Sequence, residues 1–336
     1  MRINIIGNGF DLYHGLPSSY YYFGCYLANN YFDFYKEMAR MYSFTYLKPV
    51  GYEDAEIFVE DIFWKTFEES LGELDYTWME ESLIDDLGLE CNDPIDIEIP
   101  EEANSEKIKE KFGDWISSTV NTKKNYKIIE KYIKGKKFNF KDDDFFINFN
   151  YTQTLEKIYK ISSDRIVHIH GKCEFDEDSC DIVVGHRNNE AIRELESQIY
   201  EIESELDYLD DQGARNRLNE YKCECSILKD LKKDVDYLLK KLDYILMNKD
   251  FEVDEIWVWG LSCGDVDMPY LEYLRKKYPN AKWKFSYFDN NEKKDRKILV
   301  SNINLDKSKV SYFKMCNGNA RVILNEIIKE NGIEEL

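Results

Sequence analysis

The chain has 336 residues, 43% hydrophobic and 15% aromatic, enough for one large domain with insertions or for two, and for a sizeable core. Its formal net charge of −21 argues against nonspecific binding of nucleic acid, because neutralising phosphates needs clustered Lys and Arg. No apolar run approaches the roughly 18 residues that span a bilayer, and glycine and aspartate follow the first six residues at once, so a cytoplasmic chain with no membrane partner is expected.

Ile3, Ile5 and Ile6 predict a short buried strand that ends on Gly7-Asn8-Gly9. A strand running into Gly-x-Gly can bring bare backbone N–H groups close to a phosphate. The alternative is a plain tight turn in which glycine supplies a positive φ. Asp11, His14 and Gly15-Leu16-Pro17 follow within one or two helical turns and concentrate unusual residues around that turn.

Residues 18–40 then read as an aromatic-rich helix, with further helices to about residue 89. Phe58, Ile62, Phe67 and Leu71, with Val59 and Phe63 beside them, recur near helical spacing and belong to a core. Residues 68–102 contain no Lys or Arg and read as a solvated, irregular acidic face. Two more helices are expected over 107–115 and 123–136.

Short β-rich runs follow at 144–149 (DFFINF), 166–170 (IVHIH), 181–184 (DIVV), 254–259 (DEIWVW) and 282–288 (KWKFSYF). With the first strand they predict an α/β, Rossmann-like fold: a mainly parallel sheet with helices on both faces. The expected organisation is a single α/β domain over 1–336, interrupted by a helical region over 20–140 and an antiparallel helical hairpin over 188–249. In the hairpin, Ile192, Leu195, Ile199, Ile202, Leu206 and Leu209 alternate spacings of three and four. Asp210-Asp211-Gln212-Gly213 breaks the run, and a second series passes through Leu218, Tyr221, Cys225 and Leu228. After a one-residue slip it continues through Leu231, Val235, Leu238, Leu242 and Ile245. Heptads of this kind serve an intramolecular hairpin or a dimer or partner surface equally well.

The eight cysteines (25, 91, 173, 180, 223, 225, 263 and 316) form no CxxC pair, which argues against a structural zinc ribbon and for free thiols. All four histidines, His14, His168, His170 and His186, fall near predicted strand ends, where open α/β sheets bind ligands. Asn150 closes the DFFINF strand and offers an amide donor and acceptor, or else caps a turn before a helix over 153–160 that carries Glu156 early. His168 and His170, two apart on a strand, share a face. They read either as a metal pair completed by His186 or Asp265, or as one catalytic histidine, His170, with His168 packed behind it. Gly260-Leu261-Ser262-Cys263-Gly264-Asp265 is a second strand-to-loop passage suited to a phosphate or ribose. Asp289, at the next strand's end, could take a ribose hydroxyl.

The motifs GNGFDLYHGLPSSY, FNFNYTQTLEKIY, VHIHGK, VVGH and WGLSCGDVDMPYL, in that order from near residue 1 to about 290, resemble the bacterial abortive-infection AbiH proteins, which act against bacteriophage. More distantly, Gly7-x-Gly9 with Gly15-Leu16-Pro17, Asn150-Tyr151 with Leu155-Glu156, and His170-Gly171 are similar to motifs of sirtuin-like NAD hydrolases. That resemblance implies NAD as substrate with no metal, hydrolysed at its nicotinamide–ribose bond to deplete NAD in infected cells. It implies that Gly7, Asn8, Gly9, Phe10, His14, Pro17, Gly260, Ser262 and Asp289 bind the nucleotide. Asn150 would hold the ribose or the attacking water, His170 would be the general base, and Asp11 would supply charge. Thr152 stands where the sirtuin-like pattern has aspartate, and the zinc ribbon of deacetylating sirtuins is missing. Two other readings remain open: a metal-dependent phosphoester or nucleotide hydrolase built on His168 and His170, and a non-catalytic nucleotide sensor. The hairpin is the expected surface for a second copy or a phage-derived trigger.

Overall fold

A computed structural model describes residues 1–44, 62–75, 103–174, 181–208, 210–249, 252–262, 264 and 266–333. Six strands form one sheet: β1 (Arg2–Ile6), β2 (Phe145–Asn148), β3 (Ile166–His168), β4 (Glu255–Trp259), β5 (Lys282–Tyr287) and β6 (Val310–Lys314). Their order is β3-β2-β1-β4-β5-β6 and every pairing is parallel. This is the Rossmann-like α/β fold expected from the sequence. The order reverses between β1 and β4, so the crevice at their carboxyl ends is the topological switch point where such sheets take ligands.

Both faces of the sheet are apolar because side chains alternate along each strand. One face sets Ile3, Ile5, Phe145, Ile147, Ile256, Val258, Trp283 and Phe285 against Leu238, Leu242, Leu271, Leu274, Leu299 and Val300. The helices that supply those leucines and the valine span Val235–Met247, Met268–Lys277 and Asn290–Asn302. The other face carries Ile6, Phe146 and Trp259, with Phe10 and Leu155 from the loops and helices above them.

The chain divides into two compact units: the sheet unit, from Met1–Phe23, Phe112–Val183 and the chain from Asp234 onward, and a helical unit, from Gly24–Lys111 and Val184–Lys233. Residues of the helical region expected over 20–140 contribute to both units. The helix expected over 18–40 is two, Tyr20–Asn30 and Phe32–Met41. In the helical unit Tyr35 stacks on Trp64 (5.8 Å) and Phe44 on Phe63 (4.3 Å), while Phe67 and Leu71 are buried as expected. Phe58, Val59 and most of the acidic tract lie outside the described residues.

The hairpin is shorter than 188–249. Its helices are Asn189–Leu206 and Gln212–Asp230, bridged by Lys222–Glu203 and Lys229–Glu196 ion pairs. The heptad slip near residue 231 is a helix break. The His186 amide donates to the Leu231 carbonyl, the Lys233 amide donates to the His186 carbonyl, and the Asp234 side chain caps a new helix at the Tyr237 amide. That third helix, Val235–Met247, covers the sheet. The expected strand over 181–184 is reduced to one antiparallel bridge between Gly171 and Ile182, and β6, half exposed, had no counterpart among the predicted runs.

What positions the carboxyl edge is a backbone contact. The Gly7 amide donates to the Trp259 carbonyl (2.9 Å), extending the β1–β4 ladder, and the Gly9 amide donates to the Gly260 carbonyl (2.8 Å). A Cβ on Gly7 would sit 2.4 Å from the Leu261 Cα, a clash no rotamer relieves. Gly7→Ala is expected to lose roughly 1–3 kcal/mol of stability in urea denaturation. Gly318→Ala, where an added Cβ meets nothing within 4 Å, should stay within about 0.5 kcal/mol of wild type.

Candidate functional site

The turn after β1 opens a short helix, Asn8–Tyr13. Asn8 ties it down: its Nδ2 donates to the Ser18 carbonyl (2.9 Å), and Ser18 Oγ donates back to Asn8 Oδ1 (2.6 Å). Gly15 takes a positive φ of 75°, and Pro17 is buried. The amides of Gly7 and Gly9, expected to cradle a pyrophosphate, are engaged by the β4 backbone. Phe10, expected against the nucleotide, is fully buried among Phe138, Phe140, Tyr159 and Trp259.

Asp11 is 1% exposed, beside exposed Leu12. Its Oδ2 accepts from Thr152 Oγ1 and its Oδ1 from Thr154 Oγ1, each at 2.6 Å. Burial pushes its pKa up to about 6, against the pull of Thr152, Thr154 and the Asn150 amide. Asn150 Nδ2 donates to the Gly7 carbonyl (3.1 Å), and the Asn150 backbone amide donates to Asn148 Oδ1 (3.0 Å). No hydrogen bond reaches Asn150 Oδ1 among the described residues. Asp11, Asn150 and Gly7 are thus brought together.

The same loop is braced by residues that the sequence reading did not single out. Buried Asn121 accepts from the Gln153 amide (3.0 Å) and from Tyr126 Oη (2.7 Å), and donates to the Cys173 carbonyl (2.6 Å). It follows a π-helical turn over Ile116–Val120, a local widening that often marks functional sites. The Thr-x-Thr at 152–154 was the available sign that hydroxyls would meet a carboxylate here.

The four histidines have four different settings. His14 Nδ1 donates to the Phe10 carbonyl (2.6 Å) and its Nε2 accepts from Tyr159 Oη (2.8 Å). Burial lowers its pKa to about 4, so the ring is a neutral pin with both nitrogens engaged. His168 Nε2 donates to Glu156 Oε1 (2.9 Å). His170, in the turn that follows β3, is walled by Phe149, Tyr151 and Tyr270. His170 therefore has a different setting from His168 even though the strand spacing predicted a shared face. His186 belongs to the helical unit, where its Nε2 donates to the Leu228 carbonyl and its Nδ1 accepts from the Asn188 amide, both at 2.9 Å. Among the described residues no group of three or more His, Cys, Asp or Glu is placed to hold a metal; Asp265 lies outside them.

At the end of β4, Gly260 donates to Ser286 Oγ (2.7 Å). Exposed Ser262 donates to Asp267 (2.9 Å). Arg296, a residue with no sequence signal, clamps the carbonyls of Leu261 and Ser262. Asp289, expected to take a ribose hydroxyl, is exposed and caps the next helix at the Asn291 and Glu292 amides, both at 2.9 Å. This is the turn chemistry that competed with the ribose reading.

Sheet order, switch-point glycine turns and a polar cluster at the strands' carboxyl ends define a Rossmann-like α/β protein with its candidate site at that edge. The sequence model of the bacteriophage abortive infection AbiH family matches residues 3–287. The chain belongs to that family, and its role is anti-phage abortive infection. Comparison with curated proteins and with solved structures gives no match. No helix among the described residues is long and apolar enough to cross a membrane.

Two buried groups in this site oppose each other in pH dependence. Asp11 is raised from 3.8 to about 6, so its contribution to stability is full below about pH 4 and is lost as pH rises through 6. His14 is lowered from 6.5 to about 4, so its contribution is full above 6.5 and is lost as pH falls through 4. Asp11→Asn should unmask the histidine, with stability falling by roughly 3 kcal/mol from pH 6.5 to 4. His14→Gln should unmask the carboxylate and reverse the slope. Urea denaturation at stepped pH checks both signs.

Proposed function

We propose that the chain binds NAD at the carboxyl edge of β1, β2 and β4 and hydrolyses its nicotinamide–ribose bond, depleting NAD in the infected cell. The observation that carries this reading is Asn150: its amide nitrogen is anchored to the Gly7 carbonyl, and its Oδ1 is left to accept from a ribose hydroxyl or a water. The switch point of a sheet in this order is where dinucleotides dock. In the proposed step the C1′–N bond breaks and nicotinamide leaves neutral with its electron pair. Water forms the new C1′–O bond, and its proton passes to His170. Positive charge develops on the ribose, and the Asp11 carboxylate, held by Thr152 and Thr154, contributes its field.

With the amides of Gly7 and Gly9 engaged in the β4 contact, the glycines serve by allowing close backbone approach. The pyrophosphate is then assigned to the exposed rim around Ser262. The hairpin is the proposed surface for a trigger.

The test is to incubate purified protein with NAD and resolve nicotinamide and ADP-ribose. Wild type is expected to release both in equal amounts, and Asn150→Ala and His170→Ala, compared as folded proteins by circular dichroism, to lower the rate about 100-fold or more. Absence of product from wild type, with and without extract of infected cells, overturns the reading.

A further inference from the structure

We propose that Glu156 and His168 form a positioning dyad that sets Asn150 through Asn148. Its catalytic consequence rests on the NAD-cleaving reading. The contacts themselves do not.

The dyad starts at a carboxylate. Glu156 Oε1 accepts from His168 Nε2 at 2.9 Å, with only 16% and 10% of the two side chains exposed. A carboxylate on one ring nitrogen holds the proton there, so that in the neutral ring Nε2 is the donor and Nδ1 an acceptor. Asn148 Nδ2 meets that Nδ1 at 3.4 Å. With its nitrogen turned to His168, Asn148 presents Oδ1 to the Asn150 amide at 3.0 Å. Asn150 Nδ2 in turn donates to the Gly7 carbonyl at 3.1 Å.

The path follows the sheet. Asn148 is the register partner of His168 on β3 and of Ile6 on β1, so the chain of bonds crosses the carboxyl ends of three neighbouring strands.

Removing the carboxylate frees the imidazole to put its proton on Nδ1. That nitrogen would then donate to the Asn150 carbonyl, also 3.4 Å away, and Asn148 Nδ2 would lose its acceptor. Both ends of the Asn150 setting depend on where one imidazole proton sits. Asp11, Glu174 and the Tyr126 phenol are also in electrostatic reach of the dyad, and none of them is bonded to His168 in place of Glu156. Among the described residues Glu156 Oε2 is buried without a hydrogen-bond partner, and His168 is the partner that holds the carboxylate.

The test uses the full chain, with side-chain amide resonances from nitrogen-15 NMR read beside NAD turnover. Glu156→Ala is expected to shift the side-chain amides of both Asn148 and Asn150, although Asn150 makes no bond to Glu156. It should lower kcat for NAD cleavage about 10- to 100-fold, the usual scale for a displaced reacting group, with KM little changed. Glu156→Gln, which keeps an oxygen acceptor, should restore both the resonances and most of kcat. A residue that merely stabilised the fold would change melting without that rescue.

His168→Asn keeps an amide near the Nδ1 position and serves where Glu156→Ala fails to fold. In that background, adding Glu156→Gln should leave the Asn150 resonances unmoved. Asn150 amides that stay in place in folded Glu156→Ala overturn the proposal. Amides that move while wild type cleaves no NAD support the dyad and sink the NAD reading.

Discussion

The carboxyl edge of this sheet depends on two backbones passing at van der Waals distance. Gly7 and Gly9 on one side and Gly260 on the other have no Cβ, and every side chain larger than hydrogen at Gly7 or Gly9 would push β1 away from β4. Because β1 is flanked by β2 and β4, a displaced Gly7 would also release the Asn150 side chain that bonds to its carbonyl. The contact therefore fixes the strand order's switch point and the polar loop above it together. Interiors packed at this density transmit such a change rather than absorb it.

A second constraint is electrostatic. Taking the Asp11 carboxylate out of water is costly, and two hydroxyls with one amide offset only part of that cost, which is why its pKa remains high. The partners come from the loop after β2, not from the helix of Asp11 itself, so the charge locks that loop to the first helix. Asn121 adds a lock between the loop after β2 and the chain beyond β3 through Gln153 and Cys173. Buried polar networks of this kind favour one arrangement, because breaking a bond strands a polar group in low dielectric.

The sheet was legible because strands buried on both faces are nearly continuous apolar runs, as in β1 and β2. The run at 181–184 has the same composition, but it pairs only at Ile182, since Gly171 makes backbone contact there and the chain then leaves for the helical unit. β6 escaped notice because a half-exposed edge strand needs little apolar pattern. Heptad spacing cannot distinguish one long helix from two with similar faces. The cap at Asp234, which ends the hairpin and begins a sheet-covering helix, was the local sign. In the candidate site, residue types at strand ends pointed to the carboxyl edge of the sheet. They did not reveal which group each would bond, because Glu156 meets His168, and Thr152 meets Asp11, only through tertiary packing.

Thr152 bears most directly on the proposed reaction. It stands where the sirtuin-like pattern carries an aspartate, and its hydroxyl donates to Asp11 Oδ2. A carboxylate is thus present beside the Asn150 loop, but it is contributed by the turn after β1. An aspartate at 152 would place a second negative charge against Asp11 in a buried setting, where two like charges raise each other's pKa and one takes a proton. Threonine supplies a donor in place of that repulsion and leaves a single charge whose orientation is set by the Thr152 and Thr154 hydroxyls. Under the proposed reaction, a carboxylate so held cannot rotate to attack the ribose and acts only through its field. That predicts water, rather than the protein, as the nucleophile, and free ADP-ribose with no covalent intermediate as the product.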